Sequence, residues 1–247
     1  MTLDVVFTPA GLIPGEVQGR VVFVIDILRM GSTIAAALAA GARAVVPVTS
    51  TEEALRMQQT LGTDDSVLAG ERHCERIPGF PLGNSPREMT EPAVKGRTVI
   101  MTTTNGTGAL LAVASASPVY VAAAVNYTLV AERARAAWEA EDPILIVCAG
   151  RENRFALDDA YMAGRLVEGA LGGGRGRQGL NDAALAALDL VRRYGRRWER
   201  PLLASGGGRD LLALGMKDDI ADAARLDAYP VLPLLSNRRV TAVLSTP

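Results

Sequence analysis

The sequence predicts an α/β fold with a three-layer α/β/α architecture. Short apolar runs rich in Val and Ile, such as residues 21–27 and 144–148, alternate with segments of helical length. Runs of this kind are typical of strands buried on both faces of a parallel sheet. A weak internal repeat is the second observation. It indicates two similar, intertwined lobes from a degenerate duplication, with the functional site in the cleft between them.

The first half of the chain contains four predicted strands and two predicted helices. Gly41 ends the first helix as a C-cap, and Glu52 and Glu53 suit the positive N-terminus of the second. The predicted strands cover residues 3–7, 21–27, 44–48 and 67–69, and the helices cover residues 32–40 and 51–61.

The second half repeats this order and then adds helices and a closing hairpin. Its predicted strands cover residues 96–101, 119–123 and 144–148, with the hairpin at 231–235 and 240–244. Its predicted helices cover residues 109–115, 128–140, 159–171, 181–194, 209–214 and 218–227.

The repeat is carried by short matching pairs. Gly31-Ser32 matches Gly106-Thr107, and Phe80-x-Leu82-x-Asn84 matches Phe155-x-Leu157-x-Asp159. We therefore expect one unit over residues 1–247, with room for sub-lobes at about 1–95 and 96–247.

Composition excludes several classes of function. The chain has 247 residues, a net charge of −1 and 4% aromatic residues, so neither a nucleic-acid footprint nor a base-stacking platform is expected. We expect no membrane partner, and cytoplasm is the default location. A single histidine, His73, argues against a histidine-rich zinc site and a Ser-His-Asp triad.

Four polar residues lie at the end of the second strand and in the turn after it, where open α/β sheets bind ligands. They are Asp26, Arg29, Ser32 and Thr33. A carboxylate here can hold Mg²⁺ or attack phosphorus, and an arginine can grip an oxyanion at the helix N-terminus. The sequence leaves open the alternative of a capped helix in which Asp26 pairs with Arg29.

The segment T-T-T-N-G-T-G, residues 102–108, predicts an anion site after the strand over 96–101. It offers four hydroxyls, an amide and two glycines, and glycines let backbone N–H groups approach a ligand closely. A turn capped by Thr107 is the alternative, although a cap needs one hydroxyl and not four.

Two further segments supply site candidates. Glu71 and Arg72 follow a strand, where Glu71 is a candidate ligand for a hard metal ion and Arg72 a candidate clamp for the substrate. The alternative is a solvated, charged loop. The Pro- and Gly-rich loop over 79–86 presents Asn84 and Ser85, either to a ligand or only within a tight turn.

Adjacent carboxylates open the helix predicted over 159–171. One of Asp158 and Asp159 can complement the helix dipole, and the other can reach a metal or share a proton.

Together, the motifs resemble the 2-phosphosulfolactate phosphatase family. They are D-I-L-R-x-G-S-T-I, G-E-R, G-F-x-L-G-N-S-P, T-T-T-N-G-T, and C-A-G followed by F-x-L-[D/E]-D-x-x-x-A-G, over about residues 3–170. The resemblance implies a Mg²⁺-dependent phosphatase that converts 2-phospho-3-sulfolactate to 3-sulfolactate and phosphate. The family's usual residue before Asp159 is Glu, so Asp158, one methylene shorter, departs from the pattern.

On this reading, Asp26 and Glu71 hold Mg²⁺, and Asp159 is a third candidate ligand. The predicted catalytic residues are Asp26, Glu71 and Arg29, and Arg29 and Arg72 take the carboxylate or sulfonate. The predicted substrate-binding residues are Ser32, Thr33, Arg72, Asn84, Ser85, Thr103, Thr104, Asn105, Gly106 and Thr107.

Several alternatives stay open from sequence. The nucleophile is either a water on the metal, which we favour slightly, or Asp26. The expected partner is a small anionic phosphate ester, and a homodimer is left open. The rival functions are a phosphatase of another phospho-hydroxy acid, a non-catalytic anion-binding or sensor domain, and a small-molecule kinase. The missing lysine after the glycine loop counts against the kinase.

Overall fold

A mixed β-sheet with helices on both faces forms the protein, as a computed structural model describes it for residues 1–174 and 176–243. Over these residues the sheet has ten strands. They are β1 (Leu3–Val6), β2 (Val21–Ile25), β3 (Ala44–Pro47), β4 (Ser66–Arg72), β5 (Glu75–Arg76), β6 (Thr98–Thr102), β7 (Val119–Ala122), β8 (Ile144–Cys148), β9 (Pro233–Ser236) and β10 (Arg239–Ala242).

Ten α-helices connect or follow the strands within the same described ranges. They are α1 (Met30–Ala39), α2 (Thr51–Leu61), α3 (Glu91–Val94), α4 (Gly106–Ala112), α5 (Tyr127–Glu139), α6 (Leu157–Ala170), α7 (Asp182–Tyr194), α8 (Glu199–Ala204), α9 (Gly206–Ala213) and α10 (Lys217–Ala223). The predicted α/β fold is confirmed.

The sheet consists of two parallel groups joined by a hairpin. Its order is β1-β8-β2-β7-β9-β10-β3-β6-β4-β5. Strands β1, β8, β2 and β7 are parallel to one another, as are β3, β6 and β4. The hairpin β9–β10 is antiparallel to both neighbours, so the two groups run in opposite directions.

The strand order interleaves the two predicted repeats. Strand β2 of the first repeat lies between β8 and β7 of the second, and β6 of the second lies between β3 and β4 of the first. Duplicated, intertwined lobes would produce this arrangement, but the topology does not confirm a duplication. The duplication and the sub-lobe boundaries stay predictions.

The core alternates along each strand, as a sheet covered on both faces requires. In β2, Phe23 and Ile25 pack with residues of α5 to α10, whereas Val22 and Val24 pack with α1 and α4. All four side chains are fully buried. Burying one such side chain contributes about 1.5–3 kcal/mol. Helices α1 and α4 share their core with both strand groups, which positions the turns before them next to each other.

Most predicted elements are present with shifted ends. Strand β8 and helix α2 have the predicted bounds, and α1 begins two residues earlier than predicted. Helix α8 and the short elements α3 and β5 were not predicted from sequence. The predicted hairpin forms, although Leu244 at its end lies outside the described residues, and it inserts between β7 and β3.

Among the helices of residues 1–174 and 176–243, none is both long and apolar enough to cross a membrane.

Candidate active site

A pocket of about 70 Å³ lies where the carboxyl ends of β2, β4 and β6 meet the loop after β8. Its lining brings together residues from six separate segments of the sequence. Those predicted from sequence are Asp26, Arg29, Glu71, Asn84, Thr104 and Asn105. The predicted turns after β2 and β6 therefore do form one site.

Asp26 lies at the N-terminus of α1, with its side chain buried at 6% exposure. Its carbonyl accepts the Gly31 N–H at 2.7 Å, and its carboxylate accepts the Met30 N–H at 3.3 Å. Burial, followed by the Glu71 and Asp158 carboxylates, raises the pKa of Asp26 to about 7. The group is thus held at a helix end that favours an anion, in surroundings that oppose its charge.

Glu71 holds the two facing turns together. One of its carboxylate oxygens accepts the backbone N–H of Thr104 at 2.7 Å. The other accepts the Thr104 hydroxyl at 3.0 Å and the Cys74 N–H at 2.8 Å. This carboxylate is therefore oriented by three donors and faces the same pocket as Asp26.

Two glycines allow the turns to approach this closely. A Cβ on Gly31 would lie 2.8 Å from the Asp26 carbonyl oxygen. A Cβ on Gly106 would overlap the Asp26 carboxylate and lie 2.6 Å from Met30 Sδ. The α4 N-terminus therefore packs directly on the Asp26 side chain, which only glycine permits at position 106.

Behind Asp26 lie two more buried carboxylates, Asp158 and Asp159. Asp159 accepts the backbone N–H groups of Ile27 and Gly150, each at 3.0 Å, with a different oxygen. Burial and the charges of Asp158 and Asp26 raise the pKa of Asp159 well above its usual range. Burial raises the pKa of Asp158 to about 6, and its Oδ1 has no hydrogen-bond partner among the described residues.

Magnesium fits the oxygen atoms of this pocket. Asp26 and Glu71 are two hard donors whose charges oppose each other, and a cation between them would relieve that repulsion. The buried Oδ1 of Asn84, which also lines the pocket, lacks a hydrogen-bond partner in the described part of the chain. Mg²⁺ prefers one or two carboxylates completed by other oxygen ligands, including water and substrate phosphate.

The predicted third ligand has a different environment. Both oxygens of Asp159 already bind backbone donors, which fixes the loops after β2 and β8. Within residues 1–174 and 176–243, there is no group of three or more His, Cys, Asp or Glu side chains that could hold a metal ion. Asp26 and Glu71 line the pocket and Asp159 does not, so the contacts favour a site with two carboxylates, and Asp159 as a third ligand stays a prediction.

The predicted acid-binding arginines are both engaged. Arg29 is 4% exposed and donates to Asp219 at 2.6 Å and to the Cys74 carbonyl at 2.7 Å. Its partner is Asp219 rather than Asp26, so the sequence-based alternative of an Asp26–Arg29 pair is wrong. Arg72 donates to the Glu71 carbonyl at 2.7 Å and to the Thr102 hydroxyl at 2.9 Å.

Most predicted phosphate-binding hydroxyls are used inside the protein. The Ser32 hydroxyl donates to the Ile27 carbonyl at 2.9 Å, and that of Ser85 donates to Asp219 at 2.6 Å. The Thr33 hydroxyl lies against the carbonyls of residues 29 and 84. None of these contacts caps α1, whose N-cap residue, Arg29, makes no side-chain capping hydrogen bond to the described residues of the helix.

A reciprocal pair organises the turn after β6. The Thr107 hydroxyl accepts the Thr103 N–H at 3.1 Å, and the Thr103 hydroxyl accepts the Thr107 N–H at 3.0 Å. These two residues therefore form a hydrogen-bonded turn, as the alternative from sequence has it, but Thr107 lies within α4 and the N-cap is Asn105. Thr104 and Asn105 are the members of this turn that line the pocket.

Six lining residues were not predicted as site residues. They are Leu28, His73, Cys74, Arg151, Glu152 and Asp210. The sequence did contain a signal for Arg151, because Gly150-Arg151 after β8 resembles Gly70-Glu71 at the end of β4. Asp210, which lies on α9, forms an ion pair with Arg151. No local sequence pattern predicts a contact between residues so far apart in the chain.

Known proteins with similar sequences share one description. A model of the family described as "2-phosphosulpholactate phosphatase" matches residues 6–238. A protein of Symbiobacterium thermophilum named "Probable 2-phosphosulfolactate phosphatase" is 42% identical over 91% of this chain and 95% of its own. A Deinococcus radiodurans protein of the same name is 42% identical over 91% of each chain. A third, from Thermus thermophilus, is 39% identical over 92% of this chain and 93% of its own.

Proposed function

The chain belongs to the 2-phosphosulpholactate phosphatase family, and we propose that it is a Mg²⁺-dependent phosphatase that hydrolyses 2-phospho-3-sulfolactate to 3-sulfolactate and phosphate. The observation that carries the proposal is the pairing of Asp26 and Glu71 with the neutral turn after β6 in one pocket. A phosphatase needs both kinds of group, because it must hold a charged phosphoryl group and neutralise it.

The neutral side of the pocket suits phosphate oxygens. Thr104 and Asn105 present a hydroxyl and an amide beside the N-terminus of α4. Asn105 is itself held by the Glu152 N–H, which donates to its Oδ1 at 2.9 Å. We expect the side-chain NH2 group of Asn105 to orient the phosphoryl group by donating to its oxygens. Thr104 supports this side of the pocket, because its hydroxyl and its backbone N–H both donate to Glu71.

Asp26 and Glu71 are the proposed magnesium ligands, with the Asn84 side-chain oxygen as a neighbouring donor. When bound, Mg²⁺ would neutralise charge that develops on the phosphoryl oxygens. Glu71 is oriented before any ligand arrives, because Thr104 and Cys74 already fix both of its oxygens. Asp159 acts indirectly, by tying the loop after β2 to the loop after β8.

The attacking group is a water molecule on our proposal. Attack by water forms one P–O bond while the P–O bond to the ester oxygen of the substrate breaks. The secondary alkoxide that leaves takes up the proton that the water loses. On the alternative route, the Asp26 carboxylate would attack phosphorus and form an acyl phosphate, which water would then hydrolyse. Asp26 is the less favoured nucleophile, because its carboxylate is packed between Gly106 and the α1 N-terminus and is proposed to bind the metal.

Acid quenching during turnover separates these two routes. Intact-mass analysis of the quenched enzyme should show the unmodified chain. A mass increase of one phosphoryl group that is absent from Asp26→Asn would assign nucleophilic attack to Asp26.

A panel of phosphate esters tests the proposed function. Phosphate release is measured with Mg²⁺ for 2-phospho-3-sulfolactate, 2-phospholactate, phosphoglycolate and phenyl phosphate. The highest kcat/KM is expected for 2-phospho-3-sulfolactate. A higher value for another phospho-hydroxy acid would reassign the substrate. Binding of these anions without phosphate release would favour the non-catalytic, sensor-type function.

A further inference from the structure

The substrate of the proposed reaction carries a carboxylate and a sulfonate besides its phosphate. Its binding site therefore requires cationic side chains whose hydrogen-bond donors are free. Arg29 does not meet this requirement, because its buried guanidinium is bound to Asp219 and the Cys74 carbonyl. The Arg72 guanidinium donates to the Glu71 carbonyl and to the Thr102 hydroxyl. The two arginines predicted from sequence are therefore structural in their contacts.

Arg151 differs from both. It lines the pocket, and its side chain is 41% exposed. In the described ranges, its guanidinium forms one side-chain ion pair, with Asp210 of α9, which leaves most of its five N–H donors available. A Cβ on Gly206 would lie 2.7 Å from Arg151 Nη1, so the start of α9 packs on the guanidinium and fixes its position.

Arg151 also stands between two cavities. The inner pocket, at about 70 Å³, is well below the ~300–1,000 Å³ typical of ligand sites. A second cavity of about 460 Å³ shares Arg151 and Glu152 with it. Arg154, Arg209 and the turn at the start of α9 also line this outer cavity, which gives it an excess of positive charge. A ligand with phosphate at one end and another acid group at the other fits this arrangement.

We propose that Arg151, held by Asp210, binds the acid group of the substrate that lies away from the phosphate. This proposal rests on the proposed function. The guanidinium fork matches the two oxygens of a carboxylate or sulfonate, so the contact selects acid-bearing esters over simple phosphate esters. Arg151 is then a specificity-determining residue, while Asp26 and Glu71 act at the phosphate.

The test compares two variants with the wild-type enzyme in the presence of Mg²⁺. Arg151→Gln removes the charge, and Arg151→Lys retains it without the fork. The control is Arg192→Gln on α7, which removes an exposed arginine paired with Asp189. Values of kcat/KM are measured for 2-phospho-3-sulfolactate, 2-phospholactate and phenyl phosphate. Thermal unfolding confirms that each variant folds.

The expected result is a change in selectivity. Arg151→Gln should lower kcat/KM for 2-phospho-3-sulfolactate by on the order of 10- to 100-fold, mainly through KM, because a charge-assisted contact is lost. The loss on phenyl phosphate should be at least about tenfold smaller. Arg151→Lys should recover part of the loss, and Arg192→Gln should match the wild type. Equal losses on both esters, or no loss, would overturn the proposal.

Calorimetric binding of 3-sulfolactate separates this proposal from the proposed function, because it requires no turnover. Weaker binding to Arg151→Gln than to wild type supports the role of Arg151 even in a chain that hydrolyses no ester. Equal binding by both proteins would reject that role even if the phosphatase activity is demonstrated.

Discussion

The turns after β2 and β6 face each other across one pocket and carry opposite kinds of polar group. The first contributes the buried carboxylate of Asp26, and the second contributes Thr104 and Asn105, which are uncharged. Each turn starts a helix and contains a glycine at a close approach, Gly31 in one and Gly106 in the other. The difference shows how a repeated local structure can divide the work at a site. One turn supplies charge, and the other supplies neutral donors.

A second lesson is that each turn uses most of its hydroxyls to hold itself together. Ser32 and Thr33 donate to backbone carbonyls, and Thr103 and Thr107 bind each other. A polar side chain in a motif is therefore as often a support for the turn as a contact for the ligand.

The largest expected effect comes from removing charge from the first turn. Asp26→Asn should lower kcat on the order of 10³-fold or more, because the amide cannot replace a carboxylate metal ligand. The metal-free variant should have a higher free energy of unfolding than wild type. The substitution removes a buried charge that Glu71 and Asp158 oppose. Steady-state kinetics and chemical unfolding measure the two effects. A loss of only a fewfold would make Asp26 a structural residue.

Forcing the turns apart should have the next largest effect. In Gly106→Ala, the added Cβ would overlap the Asp26 carboxylate and Met30, so the turns must separate. A displacement of about 1 Å at a reacting group can cost roughly 10²-fold in rate, and we expect a loss of that order.

Gly108→Ala is the matched control in the same helix. There an added Cβ meets no atom of the described residues within 4 Å. The control should keep its activity and gain up to about 1 kcal/mol of stability from helix propensity. Equal activity of the two alanine variants would show that the close packing at Gly106 is irrelevant to the site.

A smaller loss is expected at the contact that joins the turns. Thr104→Val removes a hydroxyl that donates to Glu71 but leaves the Thr104 backbone N–H in place. We expect kcat/KM to fall about tenfold, since one hydrogen bond to a charged group contributes about 1.5 kcal/mol. Thr104→Ser keeps the hydroxyl and should retain most activity. If serine and valine are equally impaired, the hydroxyl does not orient Glu71.

The smallest catalytic effect should come from the reciprocal pair in the second turn. Thr107→Val breaks its hydrogen bonds to Thr103 and should lower the free energy of unfolding by about 1–2 kcal/mol. Thr107→Val should lower kcat/KM less than Thr104→Val does. Thr104→Val should in turn lower the free energy of unfolding less than Thr107→Val does. The reverse order in the two assays would contradict the division between supporting and ligand-facing threonines.

Local patterns were sufficient to predict the turns, because strand length, helix starts and glycine positions are encoded in neighbouring residues. The apolar run of β8 and the charged start of α2 gave their exact bounds for this reason. The strand order was not readable in this way, since β9 and β10 insert between β7 and β3 from the distant end of the chain.

Partners distant in sequence also decided which arginine donors near the pocket are already bound. Arg29 was expected to bind substrate, but Asp219, which lies 190 positions later, takes its guanidinium. Arg151 became a site residue through α9, a helix whose start the sequence analysis placed three residues too late. Asp26 and Glu71 were predicted to share a magnesium site on the family resemblance, and the structure places both in the pocket.

Magnesium reactivation of stripped enzyme tests the central claim most directly. The protein is treated with EDTA and dialysed, and phosphate release from 2-phospho-3-sulfolactate is measured as Mg²⁺ is added back. Wild type should be inactive without metal and recover fully, whereas Asp26→Asn should stay inactive at every Mg²⁺ concentration. Full wild-type activity in metal-free buffer would contradict the claim that the two carboxylates act through a bound cation.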